Sequence, residues 1–136
     1  MESWQTDRRC PHCDLCLFAA IVDAVEVDAC GRCGGVWLHA SGTERVLTRF
    51  HRGALDLAEL AHRRMQVPLA SGPGAPALAC PICRGSMERK LEADGAVLVD
   101  RCPEHGTWFD GGELKTAAAA LLRKRQRQGA YAVAGL

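Results

Sequence analysis

A chain of 136 residues with a formal net charge of +1 lacks the strongly basic surface that is typical of general nucleic-acid binders. It has no apolar run of about 18 residues, so no membrane span is expected. Residues 1–9 lack the apolar segment of a secretion signal, and we therefore expect a cytoplasmic, reducing setting. In that setting its eight cysteines are more readily metal ligands than disulfides.

The first predicted unit is a small β-ribbon over residues 1–43. Its two Cys-x-x-Cys pairs are Cys10 with Cys13 and Cys30 with Cys33. The 16 residues between the pairs suit two short antiparallel strands with a turn near residues 23–24.

A helix is predicted over residues 44–66, with a capping sequence at residues 41–44. Its apolar residues are spaced close to a heptad pattern, and Gly53 is the one position that favours an interruption. This seam motivates the hypothesis of a homodimer through residues 44–65; docking on a second helix of the same chain is the alternative.

Residues 67–79 contain three prolines and two glycines and are predicted to be a flexible linker. A second ribbon follows over residues 80–112. It has the pairs Cys80 with Cys83 and Cys102 with His105. Asp94-Gly95 predicts a tight hairpin turn of type I′, which requires positive φ at both central residues.

A second helix is predicted over residues 113–128, because Asp110 and Glu113 have the spacing of a capping box. Its apolar face comprises Leu114, Ala117, Ala118, Leu121 and Leu122. The helix ends in a basic run, and residues 129–136 are predicted to be a frayed tail.

The two ribbons predict two zinc ions per chain, because zinc prefers four tetrahedral thiolate or imidazole ligands at structural sites. The predicted ligands are Cys10, Cys13, Cys30 and Cys33 at one site, and Cys80, Cys83, Cys102 and His105 at the other. Glycine follows the second ligand pair of each unit, at Gly34 and Gly106, where a metal-binding turn often needs positive φ. Four protein ligands leave no position for a substrate water, so we expect no enzyme activity.

Aligning the two units on their third ligands leaves Cys16 as a non-ligand, because its counterpart is Ser86. A replacement ligand or a redox sensor is the alternative for this thiol. His12, inside the first metal-binding turn, is predicted to face solvent, and His39 is predicted to be a loop residue.

Both units carry a tryptophan shortly after the last ligand, Trp37 in the first and Trp108 in the second. A module this small has few other large apolar side chains, so each ring is predicted to pack against its own ribbon. Base stacking is the functional alternative.

The run from Cys102 through Gly106-Thr107-Trp108-Phe109-Asp110 to Glu113-Leu114 resembles the bacterial zinc-ribbon family named after transcription factor IIB. The first unit matches the family pattern from Cys30 through Gly34-Gly35-Val36-Trp37-Leu38, but His39 stands where the family has Asp, and the Gly-Glu-Leu end is missing. The resemblance implies a small metal-stabilised α+β fold of two zinc ribbons, each followed by a helix. The family name also implies a link to transcription.

Zinc changes the charge balance of the chain. Seven ligand thiolates add −7 and two zinc ions add +4 to the formal charge of +1, giving about −2. Because the four-ligand sites are closed to substrate, we expect a non-enzymatic module that binds protein, or nucleic acid through the basic residues at the end of the second helix, Arg123, Lys124, Arg125 and Arg127. The alternative function is a thiol and zinc redox sensor or a zinc-buffering protein.

Overall fold

A computed structural model describes residues 3–22, 24–49, 56, 59–60, 63–64 and 74–134. The strands of these residues form one seven-stranded antiparallel sheet in the order β1-β2-β3-β4-β7-β6-β5. The strands are β1 Ser3–Arg9, β2 Cys16–Val22, β3 Val25–Ala29, β4 Val36–His39, β5 Glu88–Glu92, β6 Val97–Cys102 and β7 Gly106–Phe109; the helices are α1 Ala40–Arg49 and α2 Glu113–Ala134. The predicted fold class, an α+β fold built on two ribbons, is confirmed.

The second hairpin has the turn that its sequence predicts. Asp94 and Gly95 have φ of 55° and 84°, and the Ala96 N–H donates to the Ala93 carbonyl at 3.1 Å. Positive φ at both central residues with this bond is the type I′ geometry, which matches the twist of the flanking strands. In the first hairpin Val22 pairs with Val25, and the predicted turn there includes Asp23, which lies outside the described residues.

The two ribbons are joined edge to edge through the last strand of each. β4 pairs antiparallel with β7, and Trp37 lies directly opposite Trp108. One hydrogen-bonded ladder therefore runs through both metal-binding units, and the second ribbon is held in a fixed register against the first.

Side chains that alternate along the strands form two cores, one on each face of the sheet. The face under the helices holds mainly aliphatic side chains, together with Phe109, and Leu114 and Ala117 of α2 pack into it. The opposite face holds Trp37, Trp108, Leu17, Met87 and four buried metal-binding cysteines, Cys10, Cys30, Cys33 and Cys80. This second core lies between the two metal-binding units, so its packing and the metal sites depend on each other.

Helix α1 starts at Ala40, directly after β4, and not at the predicted position 44. The Ala40 N–H donates to the His105 carbonyl of the other ribbon at 2.9 Å, which satisfies a donor that a helix N-terminus would leave open. The Thr43 hydroxyl donates to the carbonyls of Leu38 and His39, at 3.1 Å each. The chain can therefore turn into the helix without a cap at Ser41.

Most of the predicted helix beyond Arg49, including the heptad-like seam and Gly53, lies outside the described residues. Glu59 is described, and its carboxylate lies 3.1 Å from Lys115 Nζ of α2. This pair connects the segment to the second helix of the same chain. The proposed dimer remains a hypothesis.

Helix α2 continues to Ala134. The sequence predicts that it ends at residue 128 and that residues 129–136 are frayed. Alanine at positions 130, 132 and 134 has the highest helix propensity of any residue and carries the helix past Gly129. Leu114, Ala117 and Ala118 are buried as predicted, but Leu122 is 46% exposed. No helix within the described residues is long and apolar enough to cross a membrane.

Candidate metal centres

Tight turns present the paired ligands, and three of these turns share the same backbone pattern. In the first, the Cys10 N–H donates to the Leu15 carbonyl at 2.8 Å and the Asp14 N–H donates to the Cys10 carbonyl at 2.9 Å. The turns that begin at Cys30 and Cys80 repeat both bonds. The residue after each second cysteine has positive φ, 55° at Asp14, 71° at Gly34 and 66° at Arg84. Only one of these three is the predicted glycine, so the bonded turn imposes this conformation on other residues as well.

The first centre brings together the four predicted cysteines, Cys10, Cys13, Cys30 and Cys33. The sulfurs of Cys10 and Cys33 are 3.6 Å apart. Two sulfurs bonded to one tetrahedral zinc at about 2.3 Å are separated by about 3.8 Å, whereas a disulfide is about 2 Å long. The backbone N–H groups of Cys13 and Arg32 lie 3.3 and 3.4 Å from the sulfurs of Cys10 and Cys30, where they would stabilise thiolate charge.

The second centre brings together Cys80, Cys83, Cys102 and His105. The Cys83 and Cys102 sulfurs are 3.9 Å apart, and His105 Nδ1 lies 3.3 Å from the Cys102 sulfur and 3.9 Å from the Cys80 sulfur. These separations fit the edges of a zinc tetrahedron with three sulfurs and one imidazole nitrogen. The geometry identifies Nδ1 as the ligating nitrogen of His105.

The thiols of the first centre cannot all ionise without a cation. Hydrogen bonds with Cys30 and Cys33 raise the pKa of Cys10, whereas hydrogen bonds with Cys10 and Cys33 lower the pKa of Cys30. Burial raises the pKa of the Cys80 thiol in the second centre to about 11. A divalent cation removes this conflict because it stabilises all the thiolates together.

The two centres differ in solvent access. In the first, Cys10, Cys30 and Cys33 are buried and Cys13 is half-buried, whereas Cys83 of the second is exposed. The remaining cysteine, Cys16, is half-buried at the start of β2 and belongs to neither cluster, as its Ser86 counterpart predicted.

Trp37 and Trp108 are both fully buried. The prediction that each ring packs against its own ribbon alone is wrong. A Cβ placed on Gly35 would overlap the ring of Trp108, and a Cβ placed on Gly106 would lie 3.0 Å from Cζ2 of Trp37. The contacts are reciprocal, since Gly35 and Gly106 occupy equivalent positions of the two ribbons. Each ring is therefore held by the other ribbon, and burial leaves neither free for base stacking.

His12 does not face solvent as predicted. Its Nε2 lies 2.7 Å from Oδ1 of Asp110 at the end of the second ribbon, and its side chain is 14% exposed. The same Asp110 oxygen accepts a hydrogen bond from Trp108 Nε1 at 3.0 Å. The hydrogen bond with Asp110 is the largest cause of the raised pKa of His12. His12 thus connects the first metal-binding turn to the second ribbon.

The Asp110 backbone also starts α2. Its N–H donates to Oε2 of Glu113 at 2.9 Å, which is one half of the predicted capping box. Burial, with Asp110 nearby, raises the pKa of Glu113 to about 7.

A third cluster of ligand-type side chains lies outside both thiol centres. Glu26, Asp28 and His39 place one ligand atom each within 4.8 Å of one another. His39 is the last residue of β4 and not a loop residue as predicted; its Nε2 lies 2.9 Å from Glu26 Oε2 and 3.3 Å from Asp28 Oδ2. Arg8 pairs with both carboxylates, with Nε 2.6 Å from Asp28 Oδ2. Sequence reasoning missed this cluster, although the alternation of Glu26 and Asp28 along one strand face was visible.

Opposite charges and burial shift the titration of this cluster. Hydrogen bonding to Asp28 raises the pKa of His39, and burial raises the pKa of Glu26. Burial acts to raise the pKa of Asp28 too, but hydrogen bonds from His39 and Arg8 outweigh it, so the net shift is downward.

The predicted basic residues lie on α2, near its C-terminal half. Arg123, Arg125 and Arg127 are exposed, and Lys124 Nζ lies 3.1 Å from Asp94 in the β5–β6 turn. Lys124 and Arg125 line a cavity of about 950 Å³ between α2 and the β5–β6 hairpin, and Arg101 lines it from β6. The structure thus places an arginine on β6 beside the basic run, which sequence reasoning did not include.

These features define a zinc-ribbon protein with two four-ligand centres in one sheet. The family model described as transcription factor zinc-finger matches residues 9–49 and 79–120, and the chain belongs to that family. The two matches cover the two ribbons and their ligands, so the chain contains two copies of the family unit and binds two zinc ions. No curated protein and no solved structure matches the chain.

Proposed function

We propose that the protein is a non-catalytic interaction module in which both zinc ions are structural. The observation that carries this proposal is that each thiol centre supplies four protein ligands, which leaves no coordination position for a reacting water. The burial of four ligands, Cys10, Cys30, Cys33 and Cys80, in the same core as Trp37 and Trp108 supports this role, because removing a zinc ion would disturb the packing of the joined ribbons. The zinc ions then stabilise a scaffold, and binding is the function of its surface.

The basic part of α2 is the surface that best fits a partner. Arg123, Arg125 and Arg127 are exposed and follow Leu121, which packs on the aliphatic core. Arg101 and Lys124 extend this basic surface into the cavity beside the hairpin. We propose that this surface, residues 101 and 123–127, contacts the phosphates of a nucleic acid, in keeping with the transcription-related description of the family.

Salt dependence tests the nucleic-acid proposal. Affinity of the zinc-loaded protein for a nucleic-acid probe should fall linearly on a logarithmic salt scale, because phosphate contacts release counterions. Arg123→Glu should weaken binding and reduce the slope by about 1, as expected for the loss of one phosphate contact. Lys90→Glu is the matched control, because it makes the same charge change on an exposed residue of β5.

Undetectable binding, binding that salt does not affect, or equal losses for Arg123→Glu and Lys90→Glu would each reject nucleic acid as the partner of this surface. A protein partner of α2 would then be sought by capture from the native host, with Arg123→Glu as the negative control.

A thiol and zinc redox sensor is the second candidate function, and the exposed sulfur of Cys83 favours it. A solvent-accessible zinc-bound thiolate is open to oxidation, which would release zinc and loosen the second ribbon. Dilute peroxide should then release one zinc ion per chain from the wild type. The absence of both zinc release and thiol modification would reject the sensor, and Cys16→Ser would show whether the spare thiol takes part.

A further inference from the structure

The cluster of Glu26, Asp28 and His39 lies on the sheet face that the helices leave uncovered. Glu26 and Asp28 alternate with Val25 and Val27, which pack into the core under the helices. Their carboxylates therefore project to the other side of the sheet, where His39 reaches them from the neighbouring strand β4. One imidazole and two carboxylates supply donors that divalent transition-metal ions accept.

A comparison with the second ribbon shows which residue of this cluster belongs to the common structure of the two ribbons. Asp28 corresponds to Asp100, and both are buried and paired with an arginine, Arg8 in the first ribbon and Arg89 in the second. The ribbon fold thus uses a buried aspartate–arginine pair in both copies.

Glu26 and His39 are additions that the ribbon fold does not require. Their counterparts in the second ribbon are Leu98 and Asp110, and no ligand-type cluster forms at that place among the described residues. The second ribbon folds without these two residues. Their presence in the first ribbon therefore needs an explanation other than the stability of the ribbon.

The buried carboxylate of Asp28 also has an oxygen that the surrounding side chains do not satisfy. The Asp28 side chain is fully buried, and its Oδ2 is shared by Arg8 and His39. Its Oδ1 has no hydrogen-bond donor among the residues that the structure describes. An unpaired oxygen of a buried carboxylate is unfavourable, and a bound cation is one way to satisfy it.

We propose that Glu26, Asp28 and His39 form a third metal site, for an exchangeable divalent transition-metal ion bound by one nitrogen and two carboxylates. The side chains of Glu26 and His39 are each 27% exposed, so an ion can enter from solvent. Three protein ligands leave coordination positions open, unlike the two thiol centres. The site goes beyond the proposed scaffold role, because its ion exchanges while the structural zinc ions stay bound.

Arg8 gives this site a testable signature. Its guanidinium pairs with Glu26 and Asp28 and competes with the metal ion for the same two carboxylates. Removing the charge of Arg8 should therefore tighten the binding of a divalent ion, by about tenfold or more for charges this close. A cluster that serves only as an ion-pair network would lose a partner in this variant and gain no metal.

Cobalt is the probe, added as Co²⁺ to protein that already carries two zinc ions. Zinc binds thiolate sites more tightly than cobalt does, so Co²⁺ leaves the two thiol centres filled. Equilibrium dialysis should find one bound Co²⁺ per chain, with visible d–d absorption and without the near-ultraviolet band of a cobalt–thiolate bond. Glu26→Leu, which installs the residue of the second ribbon, and His39→Asn should each lose the bound cobalt.

Glu88→Leu is the matched control for Glu26→Leu, because it removes one carboxylate from an exposed strand position and should retain the cobalt. The zinc content of each variant, two ions per chain, verifies that the ribbons are folded. Absence of cobalt binding by the wild type, or equal binding by the wild type, Glu26→Leu and His39→Asn, would overturn the proposal. An unchanged or weaker affinity in Arg8→Gln would also count against it.

Discussion

Gly35 of the first ribbon lies directly against the indole ring of Trp108 of the second, with no space for a side chain between them. A Cβ on Gly35 would lie 2.8 Å from Cη2 of that ring and closer still to Cζ2. The reciprocal contact between Gly106 and Trp37 occurs at the other end of the β4–β7 pair, where Gly106 pairs with His39. The glycine after each metal-binding turn therefore allows the other ribbon to dock, in addition to any role in the turn itself.

This contact predicts that Gly35→Ala destabilises the protein by about 1–3 kcal/mol, the usual cost of overpacking a buried site. The ring of Trp108 is fully buried and cannot move away without disturbing the core between the metal centres. The free energy of unfolding of the zinc-loaded protein, from denaturant titration, measures the effect.

Gly31→Ala is the matched control for this prediction. Gly31 also lies in the first metal-binding unit, but a Cβ there would meet no atom within 4 Å. We expect its unfolding free energy to stay within about 0.5 kcal/mol of the wild type, as for other surface substitutions. Equal destabilisation by the two replacements would contradict the proposed role of the Trp108 contact.

The metal ligands could be predicted from the sequence because each pair lies within one turn, where spacing alone determines the geometry. The docking of the ribbons could not, because the pairing of Trp37 with Trp108 joins residues about seventy positions apart. The sequence did contain a signal, since both copies carry glycine and tryptophan at matching positions. However, the same residues are equally consistent with packing within one ribbon. Only the pairing of β4 with β7 shows that they pack between the two ribbons.

The histidines show the same limit. The immediate neighbours of His12 and His39 in the chain predict a solvent-facing residue and a loop residue. Their partners, Asp110 for His12 and Glu26 and Asp28 for His39, become neighbours only when strands from different parts of the sheet align. By contrast, the Asp94-Gly95 turn depends on local backbone preferences alone, and its prediction was confirmed.

The pair of His12 and Asp110 is expected to couple the two ribbons energetically. In a double-mutant cycle with His12→Ala and Asp110→Ala, we predict a coupling free energy of about 1.5–3 kcal/mol, as for hydrogen bonds to charged groups. The pKa of His12 is raised, so the charged pair is fully present below the pKa of an unfolded histidine, about 6.5. The coupling should fall as pH rises through the higher folded pKa.

Unfolding measured at pH 6 and pH 9 tests both parts of this prediction, provided that zinc remains bound at both values. Additive effects of the two replacements at pH 6 would show that the contact contributes nothing to stability. A coupling that grows between pH 6 and pH 9 would have the wrong sign for a protonated histidine bound to a carboxylate.

The two zinc ions are expected to leave at different rates. A chromogenic chelator should remove the zinc of the second centre first, because Cys83 is exposed whereas the corresponding Cys13 of the first centre is half-buried. The release should have two phases of one zinc ion each. Cys83→Ser should speed or remove only the fast phase, and Cys13→Ser only the slow one. Release of both ions in one phase, unchanged by Cys83→Ser, would contradict the order.

The half-buried carboxyl of Glu113 is expected to make the stability of the protein depend on pH, and Glu113→Gln should abolish that dependence. Burial raises the pKa of Glu113 in the folded state to about 7, above the unfolded value of 4.5. Between pH 4.5 and pH 7 the carboxyl is therefore protonated in the folded state and ionised in the unfolded state. The stability of the wild type relative to Glu113→Gln should therefore fall as pH rises from 5.5 to 7 and level off above about pH 8. Denaturant titration of the zinc-loaded proteins across this range measures the difference, with Glu88→Gln as the exposed control. A difference that stays constant from pH 5.5 to 8, or one that grows in favour of the wild type, would contradict the raised pKa.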